Sequence, residues 1–161
     1  MRRTITIAAL VAGLAGTVLT GPASAAPAHP AAGAFAVAVA FPTAVFDDVG
    51  TQVCRVSIAG TLTFTGTLSG VATGTITALV LAPCSEAQST PPGTSRDVFR
   101  FRGAFSGTVD GAATTGTLTY AGMTRVGGAI DATVLLSGPA RAALRADALA
   151  GVGGTYAGVT T

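Results

Sequence analysis

The stretch FTGTLSGVATGTIT, residues 64–77, returns in nearly the same form as FSGTVDGAATTGTLT, residues 105–119. Both copies alternate apolar residues or glycine with threonine and serine. A period of two with one apolar face is typical of a half-buried antiparallel strand. Each copy also has a polar, glycine-containing centre, where a chain reversal is expected. The sequence therefore predicts the same β-hairpin twice.

The phase of the alternation predicts where each hairpin turns. In the first copy the even-numbered positions are apolar in both arms, which favours a three-residue loop at 69–71 and places Phe64 opposite Ile76. In the second copy the apolar set changes from odd to even positions, which favours a four-residue loop at 110–113. A shift of one residue within a strand would turn every side chain to the wrong face. We therefore expect Phe64 and Phe105 on the buried face.

Strand-like segments cover most of the rest of the chain. They are predicted at residues 34–41, 52–68, 73–82, 97–109, 115–121, 128–137 and 152–160. Residues 83–96, PCSEAQSTPPGTSR, have the composition of a loop. Residues 139–150, PARAALRADALA, are the only helical candidate, since Pro139 suits a first helical position and Gly151 suits the position after a helix. A strand is the alternative for that segment.

These elements predict an all-β fold, a single antiparallel barrel of about seven to eight strands with one short helix near the C-terminus. The predicted hairpins place glycine opposite glycine, Gly66 with Gly74 and Gly107 with Gly116. Facing glycines permit the strong coiling that closure of a barrel requires. A two-sheet β-sandwich is the alternative architecture.

The first residues predict export from the cell. MRR precedes an apolar run, and Ala23–Ala25 form a small-x-small cleavage site. This is the pattern of a signal peptide, and the run is too short for a comfortable membrane span. We expect a signal peptide at residues 1–25, a flexible tail at 26–33 and one barrel domain at 34–161. The mature protein is expected to be secreted and to have no membrane segment.

Removal of the signal peptide changes the charge balance. The whole chain has a formal charge of +2, but Arg2 and Arg3 leave with the signal peptide. Seven arginines then stand against seven acids, a formal charge of zero. Binding to nucleic acid depends on positive charge, so nucleic acid is not an expected partner.

Cys54 and Cys84 are the only cysteines, and in an exported chain the expectation is a disulfide. With the predicted turn at 69–71, Cys84 would lie opposite Val56 and would be a diagonal neighbour of Cys54. The disulfide therefore requires a bulge or a break in the pairing, which we predict near Gly60 or Pro83.

Groups for catalysis or metal binding are scarce in this sequence. The single histidine, His29, lies in a proline- and alanine-rich tail, and no His, Cys or Asp cluster has metal-ligand spacing. Asp47 and Asp48 are read as a turn with a solvated acid pair. We therefore predict no metal and no cofactor, and a protein without enzymatic activity is favoured over an enzyme.

The ligand-binding candidates are Arg100, Arg102, Tyr120 and Tyr156. The two arginines alternate with phenylalanine in FRFR, residues 99–102. If the phenylalanine face is the core, both arginines point to solvent. In a barrel with a polar lumen they would point inward and bind a carboxylate, with the tyrosines as hydrogen-bond donors. Asp131 is read as the partner of a surface arginine.

The C-terminal segment ALAGVGGTYAGV, residues 148–159, resembles the glycine-rich terminal segment of small barrels in the allene oxide cyclase and dirigent-like class. That class includes bacterial secreted members of unknown function. The hairpin segments FTGTLSG and FSGTVDG also suit it. The resemblance implies an eight-stranded barrel with a hydrophobic cavity, and it assigns no catalytic residue to this chain.

Three functions follow as hypotheses. The leading one is a secreted barrel without enzymatic activity that binds a small apolar ligand or acts at the cell surface. The second is a cyclase- or dirigent-like enzyme that steers a reactive intermediate by the shape of its cavity. The third is a structural or adhesive module that uses threonine-rich strand faces. A cavity with room for a ligand favours the first two, and a barrel filled by side chains favours the third.

Overall fold

The computed structural model of the chain describes residues 27–161, in which nine strands make up most of the fold. The strands are β1 (His29–Val39), β2 (Val45–Gly50), β3 (Val53–Gly66), β4 (Leu68–Val80), β5 (Asp97–Val109), β6 (Ala112–Thr124), β7 (Ala129–Ser137), β8 (Ala142–Leu149) and β9 (Gly153–Thr160). Helix α1 spans Cys84–Ser89, and a 3₁₀ turn spans Phe41–Thr43. The predicted signal peptide, residues 1–25, lies outside the described residues.

Eight of the strands close into an antiparallel barrel. Strands β3 to β8 each pair with the next strand in the chain, β9 pairs with β1, and β1 pairs with β3. Strand β2 pairs with the beginning of β3, beyond the end of β1. The all-β barrel prediction is thereby confirmed. The sandwich alternative is wrong, because the pairing of β1 with both β9 and β3 leaves a single closed sheet.

The first hairpin turns earlier than predicted. Phe64 faces Gly70 and not Ile76, and the reversal is centred on Thr67 and not on 69–71. Gly66 has a φ of 105°, which a glycine adopts without strain, and Leu68 begins β4 fully buried. The displacement is an even number of residues, so every side chain keeps its predicted face. Phe64 is accordingly buried, as predicted.

The second hairpin has a two-residue turn instead of the predicted four-residue loop at 110–113. Asp110 and Gly111 both have positive φ, 51° and 80°, as a type I′ turn requires. This turn matches the twist of the flanking strands, and β6 therefore begins at Ala112. Phe105 is buried as predicted, and it faces Gly116. In both copies of the repeat, a buried phenylalanine lies opposite a glycine.

The predicted glycine pairs, Gly66 with Gly74 and Gly107 with Gly116, do not form, and other glycines lie opposite each other instead. Gly74 of β4 lies between Gly60 of β3 and Gly103 of β5. A Cβ atom on Gly74 would clash with the carbonyl oxygen of Arg102, so the strands approach here more closely than a side chain allows. The glycines still permit the coiling that closes the barrel, as the sequence predicted, but through different partners.

The segment 139–150 is not a helix. Ala142–Leu149 form β8, in which Ala142, Leu144 and Ala146 are buried while the intervening residues are exposed. Pairing with β7 and β9 completes the barrel and decides between the two predicted conformations. The one α-helix of the described residues is instead α1, in the segment that was predicted to be a loop.

Two shorter predictions also fail. Residues 29–33, expected in a flexible tail, form the start of β1 and pair with the end of β9. Asp47 and Asp48, expected in a turn, lie within β2 and pair with β3. In both cases the chain pairs with an edge that the sequence pattern alone does not reveal.

Cys54 and Cys84 form the predicted disulfide, with Cα atoms 4.8 Å apart. The ladder between β3 and β4 runs without a bulge past Gly60 to the pair Cys54–Val80. Val56 faces Ala78, so the register set by the predicted turn at 69–71, which would have placed Cys84 opposite Val56, is not adopted. Pairing stops before Pro83, and Cys84 opens α1, which confirms a break near that proline.

No helix in residues 27–161 is long and apolar enough to cross a membrane.

Candidate functional site

The interior of the barrel is filled at one end and hollow at the other. The filled end, where β5 turns into β6, contains Phe64, Phe105, Leu68 and Leu118, all at most 1% exposed. The other end, where β4 stops and β5 starts, is called the open end here. It holds a cavity of about 220 Å³. Ligand sites in barrels commonly occupy such a mouth.

Inward-facing apolar side chains form the wall of the cavity. They come from strands around most of the barrel, and they include Val37, Val56, Ile58, Ile76, Ala78, Val80, Phe99 and Ile130. These positions continue the alternation that buries the core farther down each strand. All of them except the buried Ile58 remain partly accessible, because the open end lacks the large facing side chains that fill the other end.

The connection between β4 and β5, residues 81–96, folds over the mouth of the cavity. Ala87 and Gln88 of α1 and Pro91 and Pro92 after it contribute to the lining. The Cys54–Cys84 disulfide ties the start of α1 to β3. Farther along, the N–H of Gly127 donates a hydrogen bond to the Gly93 carbonyl at 3.0 Å, which ties the connection to the β6–β7 turn. This segment is therefore a fixed cap.

Exposed apolar side chains surround the open end. They are Phe41, Leu81, Val126, Leu149 and Val152, each more than half exposed. Phe41 and Leu149 also line the cavity. Clusters of exposed large apolar residues are uncommon on small soluble proteins, and where they occur they often mark a binding surface.

A carboxyl group interrupts the apolar wall. Asp97 is the first residue of β5 and shares the inward face with Phe99. Its Oδ1 accepts a hydrogen bond of 2.8 Å from Thr124 Oγ1 on the paired strand β6. Burial raises the pKa of this carboxyl, and the Thr124 hydrogen bond offsets part of that rise.

Tyr120 lies deeper in the wall of the cavity. Its ring packs at 4.9 Å from Phe99 and at 5.3 Å from Phe35, measured between ring centroids. The side chain is 4% exposed, and its hydroxyl has no hydrogen-bond partner among the described residues. Burial, and then the negative charge of Asp97, raise the pKa of Tyr120. The hydroxyl is thus a donor at neutral pH that lacks an acceptor.

Tyr156, the second tyrosine predicted as a ligand-binding residue, is placed at the filled end. Its hydroxyl accepts a hydrogen bond of 2.9 Å from the Leu68 N–H. The carbonyl oxygens of Thr65 and Leu68 lie 3.1 Å and 3.2 Å away as acceptors for its proton. Burial raises its pKa. These contacts hold the β3–β4 turn, and the structure does not bring Tyr156 together with Tyr120.

Arg100 and Arg102 lie on the outer face of β5 and are exposed. Their neighbours on β4 are Thr77 and Thr75, so the alternative in which both arginines point to solvent describes the structure. Neither lines the cavity. Asp131 pairs with Arg125 on the surface, as expected for that acid.

Asp97 and Thr124 are the site residues that the sequence analysis missed. A signal for Asp97 was present, since it has the odd-numbered phase of the buried residues Phe101 and Phe105. An acid in that phase is predicted to point into the barrel. No group of three or more His, Cys, Asp or Glu residues in the described part of the chain has the geometry of a metal site.

Comparison of the chain with protein-family models, with curated proteins and with solved structures gives no match.

Proposed function

We propose that this protein is an exported, non-enzymatic binding protein that holds a small apolar ligand inside its barrel. The observation that carries the proposal is the cavity of about 220 Å³, walled by aliphatic and aromatic side chains, in one half of the barrel. A preformed concave site with few polar groups is the usual form of a small-molecule site. A buried disulfide is typical of exported proteins and supports that part of the proposal.

The half-empty interior supports a binding role over a structural or adhesive one. A barrel of eight strands is narrow enough for side chains to fill it completely, and the filled end does so. The unfilled half lacks the van der Waals contacts that large side chains would make there. A purely structural module would gain stability from filling that space.

A cyclase- or dirigent-like enzyme is the second candidate. The presence of a carboxyl of raised pKa, Asp97, and of a tyrosine, Tyr120, in the wall of one apolar cavity favours it. Groups of this kind transfer protons in general acid–base catalysis. The two candidates differ in the fate of the ligand, because a cyclase would return an isomer of the compound that it bound.

The binding role is tested with propylbenzene as an apolar probe and calorimetry as the readout. Ala78 lines the cavity, whereas its neighbour Thr77 is exposed on the outside of β4. The wild-type chain and the control Thr77→Phe are expected to bind the probe, and Ala78→Phe is expected to lose binding because the new ring fills the cavity. Equal binding by the two variants, or no binding by the wild type, would overturn the proposal.

Native mass spectrometry of the protein purified after export tests the same proposal with the natural ligand. We expect a retained compound that is absent from Ala78→Phe. Incubation of that compound with fresh protein then separates the candidates. If the compound is recovered unchanged, the result supports a binding protein. If a product of equal mass but different chromatographic retention appears, the result supports the cyclase.

A further inference from the structure

Polar side chains line the cavity from two places: Gln88, Thr90 and Ser95 belong to the cap, and the polar side chains of the barrel wall itself lie on two neighbouring strands. Asp97 on β5 pairs directly with Thr124 on β6, and Tyr120 follows on the same inward face of β6. Gly122 lies between Tyr120 and Thr124 on this face of β6, and it has no side chain that would stand between them. Asp97, Thr124 and Tyr120 are called the polar cluster below.

Two groups of the polar cluster, the Asp97 carboxyl and the Tyr120 hydroxyl, can form hydrogen bonds beyond those that the structure describes. Thr124 donates to Oδ1 of Asp97 at 2.8 Å, and this is the one side-chain hydrogen bond that the structure describes for that carboxyl. The Tyr120 hydroxyl is buried and has no partner among residues 27–161. Buried polar groups in proteins are nearly always paired, so an unpaired donor beside a cavity points to a partner that arrives with the ligand.

The charges around the cavity narrow the choice of that partner. The lining contains no Arg, Lys or His in the described part of the chain, and Asp97 is its one acidic residue. A ligand carboxylate beside Asp97 would meet a like charge in an apolar surrounding, with no cation to offset it. A hydroxyl group avoids this conflict, since it is uncharged, its oxygen can accept a hydrogen bond from Tyr120, and its proton can be donated to a carboxylate such as Asp97.

We propose that the cavity binds a neutral apolar ligand that ends in a hydroxyl group, with this group buried against Asp97 and Tyr120, and that it rejects the corresponding carboxylate. This inference rests on the proposed binding function and adds the chemical class of the ligand. A cavity of about 150 Å³ accommodates benzene, so about nine non-hydrogen atoms fit the enclosed volume by proportion. A longer ligand would extend past the apolar rim formed by Phe41 and Leu149.

Three probes of nearly equal size test this proposal on the full mature chain. They are 2-phenylethanol, propylbenzene, in which a methyl group replaces the hydroxyl, and phenylacetate, in which a carboxylate replaces the terminal CH₂OH group. Affinities are measured by calorimetry at neutral pH. We expect 2-phenylethanol to bind at least about tenfold more tightly than phenylacetate, the effect of roughly one well-made hydrogen bond and the absence of a charge conflict.

Two variants assign the preference to the polar cluster. In Tyr120→Phe, the affinity for 2-phenylethanol is expected to fall about tenfold while that for propylbenzene stays unchanged, because only the hydroxyl contact is lost. In Asp97→Asn, binding of phenylacetate is expected to improve about tenfold, since the like charge is gone. Both substitutions are nearly isosteric, and thermal unfolding of each variant checks that it is folded.

The outcomes separate this inference from the proposed function. Equal affinity of the wild type for 2-phenylethanol and phenylacetate would overturn the inference. So would a Tyr120→Phe variant that loses 2-phenylethanol and propylbenzene to the same extent. In both cases binding of propylbenzene would still uphold an apolar cavity. A wild-type chain that binds none of the three probes would reject the cavity and the inference together.

Discussion

The two buried tyrosines of the barrel differ in what their hydroxyl groups contact. Tyr156 bridges the backbone of the β3–β4 turn, where it accepts from the Leu68 N–H. Tyr120 has the same degree of burial but no partner in the described chain. One hydroxyl therefore stabilises the fold, and the other is a group that a ligand can satisfy.

Tyr156→Phe is expected to lower the free energy of unfolding by about 1–3 kcal/mol, because the buried Leu68 N–H is left without an acceptor. Urea denaturation measures the change. The matched control is Tyr120→Phe, which removes a buried hydroxyl that has no partner and should leave stability equal or higher. Equal losses in the two variants would contradict the difference in role.

The Asp97 carboxyl makes stability depend on pH. Burial raises its pKa in the folded protein above the ordinary value of 3.8. The folded state then binds the proton more tightly than the unfolded state, so this contribution is present below pH 3.8 and is lost as pH rises through the folded pKa. Thr124 and Tyr120 are the neighbouring groups that face it.

Asp97→Asn removes this titration. As pH rises from acidic to neutral, the stability of Asp97→Asn is expected to increase relative to that of the wild type, because asparagine carries no charge to bury. Urea denaturation of both proteins at pH 3 and about pH 7 measures the difference, in which the other acids cancel. If the difference in unfolding free energy between the two proteins does not change with pH, burial does not shift the pKa of Asp97.

At the scale of single elements, turns decide the pairing that the alternation leaves open. Period-two patterns assign each residue to a face, and a displacement by any even number satisfies them equally. The Asp110–Gly111 turn selects one register for the second hairpin because both residues adopt positive φ. Gly66 has the same effect in the first.

The inward glycines are the second feature of the strands. Gly74→Ala is expected to destabilise the protein by about 1–3 kcal/mol, since its Cβ would overlap the Arg102 carbonyl oxygen on the neighbouring strand. Gly50→Ala on β2 is the control, because a Cβ there has no neighbour within 4 Å. Thermal unfolding compares the two. A neutral Gly74→Ala would show that the strands can separate at little cost.

At the scale of the whole molecule, the disulfide contributes both to the stability of the fold and to the position of the cap over the cavity. Cys54 belongs to the barrel wall, and Cys84 opens the segment that covers the cavity. The bridge therefore restrains the unfolded chain and holds the cap in the folded one. Few other contacts of α1 with the barrel are available, since it has only six residues.

The double variant Cys54→Ala/Cys84→Ala is expected to lose about 3–4 kcal/mol of unfolding free energy, the effect of opening a loop of this length. It should also bind propylbenzene more weakly, because the cap is no longer tied to β3. Urea denaturation and calorimetry measure the two effects. Reduced wild-type protein is the control and should behave in the same way. Unchanged probe affinity would indicate that the cap does not shape the cavity.

Local pattern in the sequence was enough to predict seven of the nine strands, their buried faces and the barrel class, but not β2 or β8. Phe64 and Phe105 are buried as the alternation indicated, because the direction of a side chain in a strand depends only on its position in the local repeat. The disulfide was also predictable, since two cysteines in a chain that begins with a predicted signal peptide are expected to pair.

The register, the strand identity of residues 142–149 and the site depended on tertiary structure. A segment such as β8, with a sequence compatible with helix or strand, becomes a strand because β7 and β9 both offer it unpaired edges. Asp97 and Tyr120 come to line the same cavity only when β5 and β6 align in one register and the barrel closes around an unfilled end. Local periodicity determines which face a residue occupies, whereas its neighbours across the barrel are determined by closure, a property of all eight strands together.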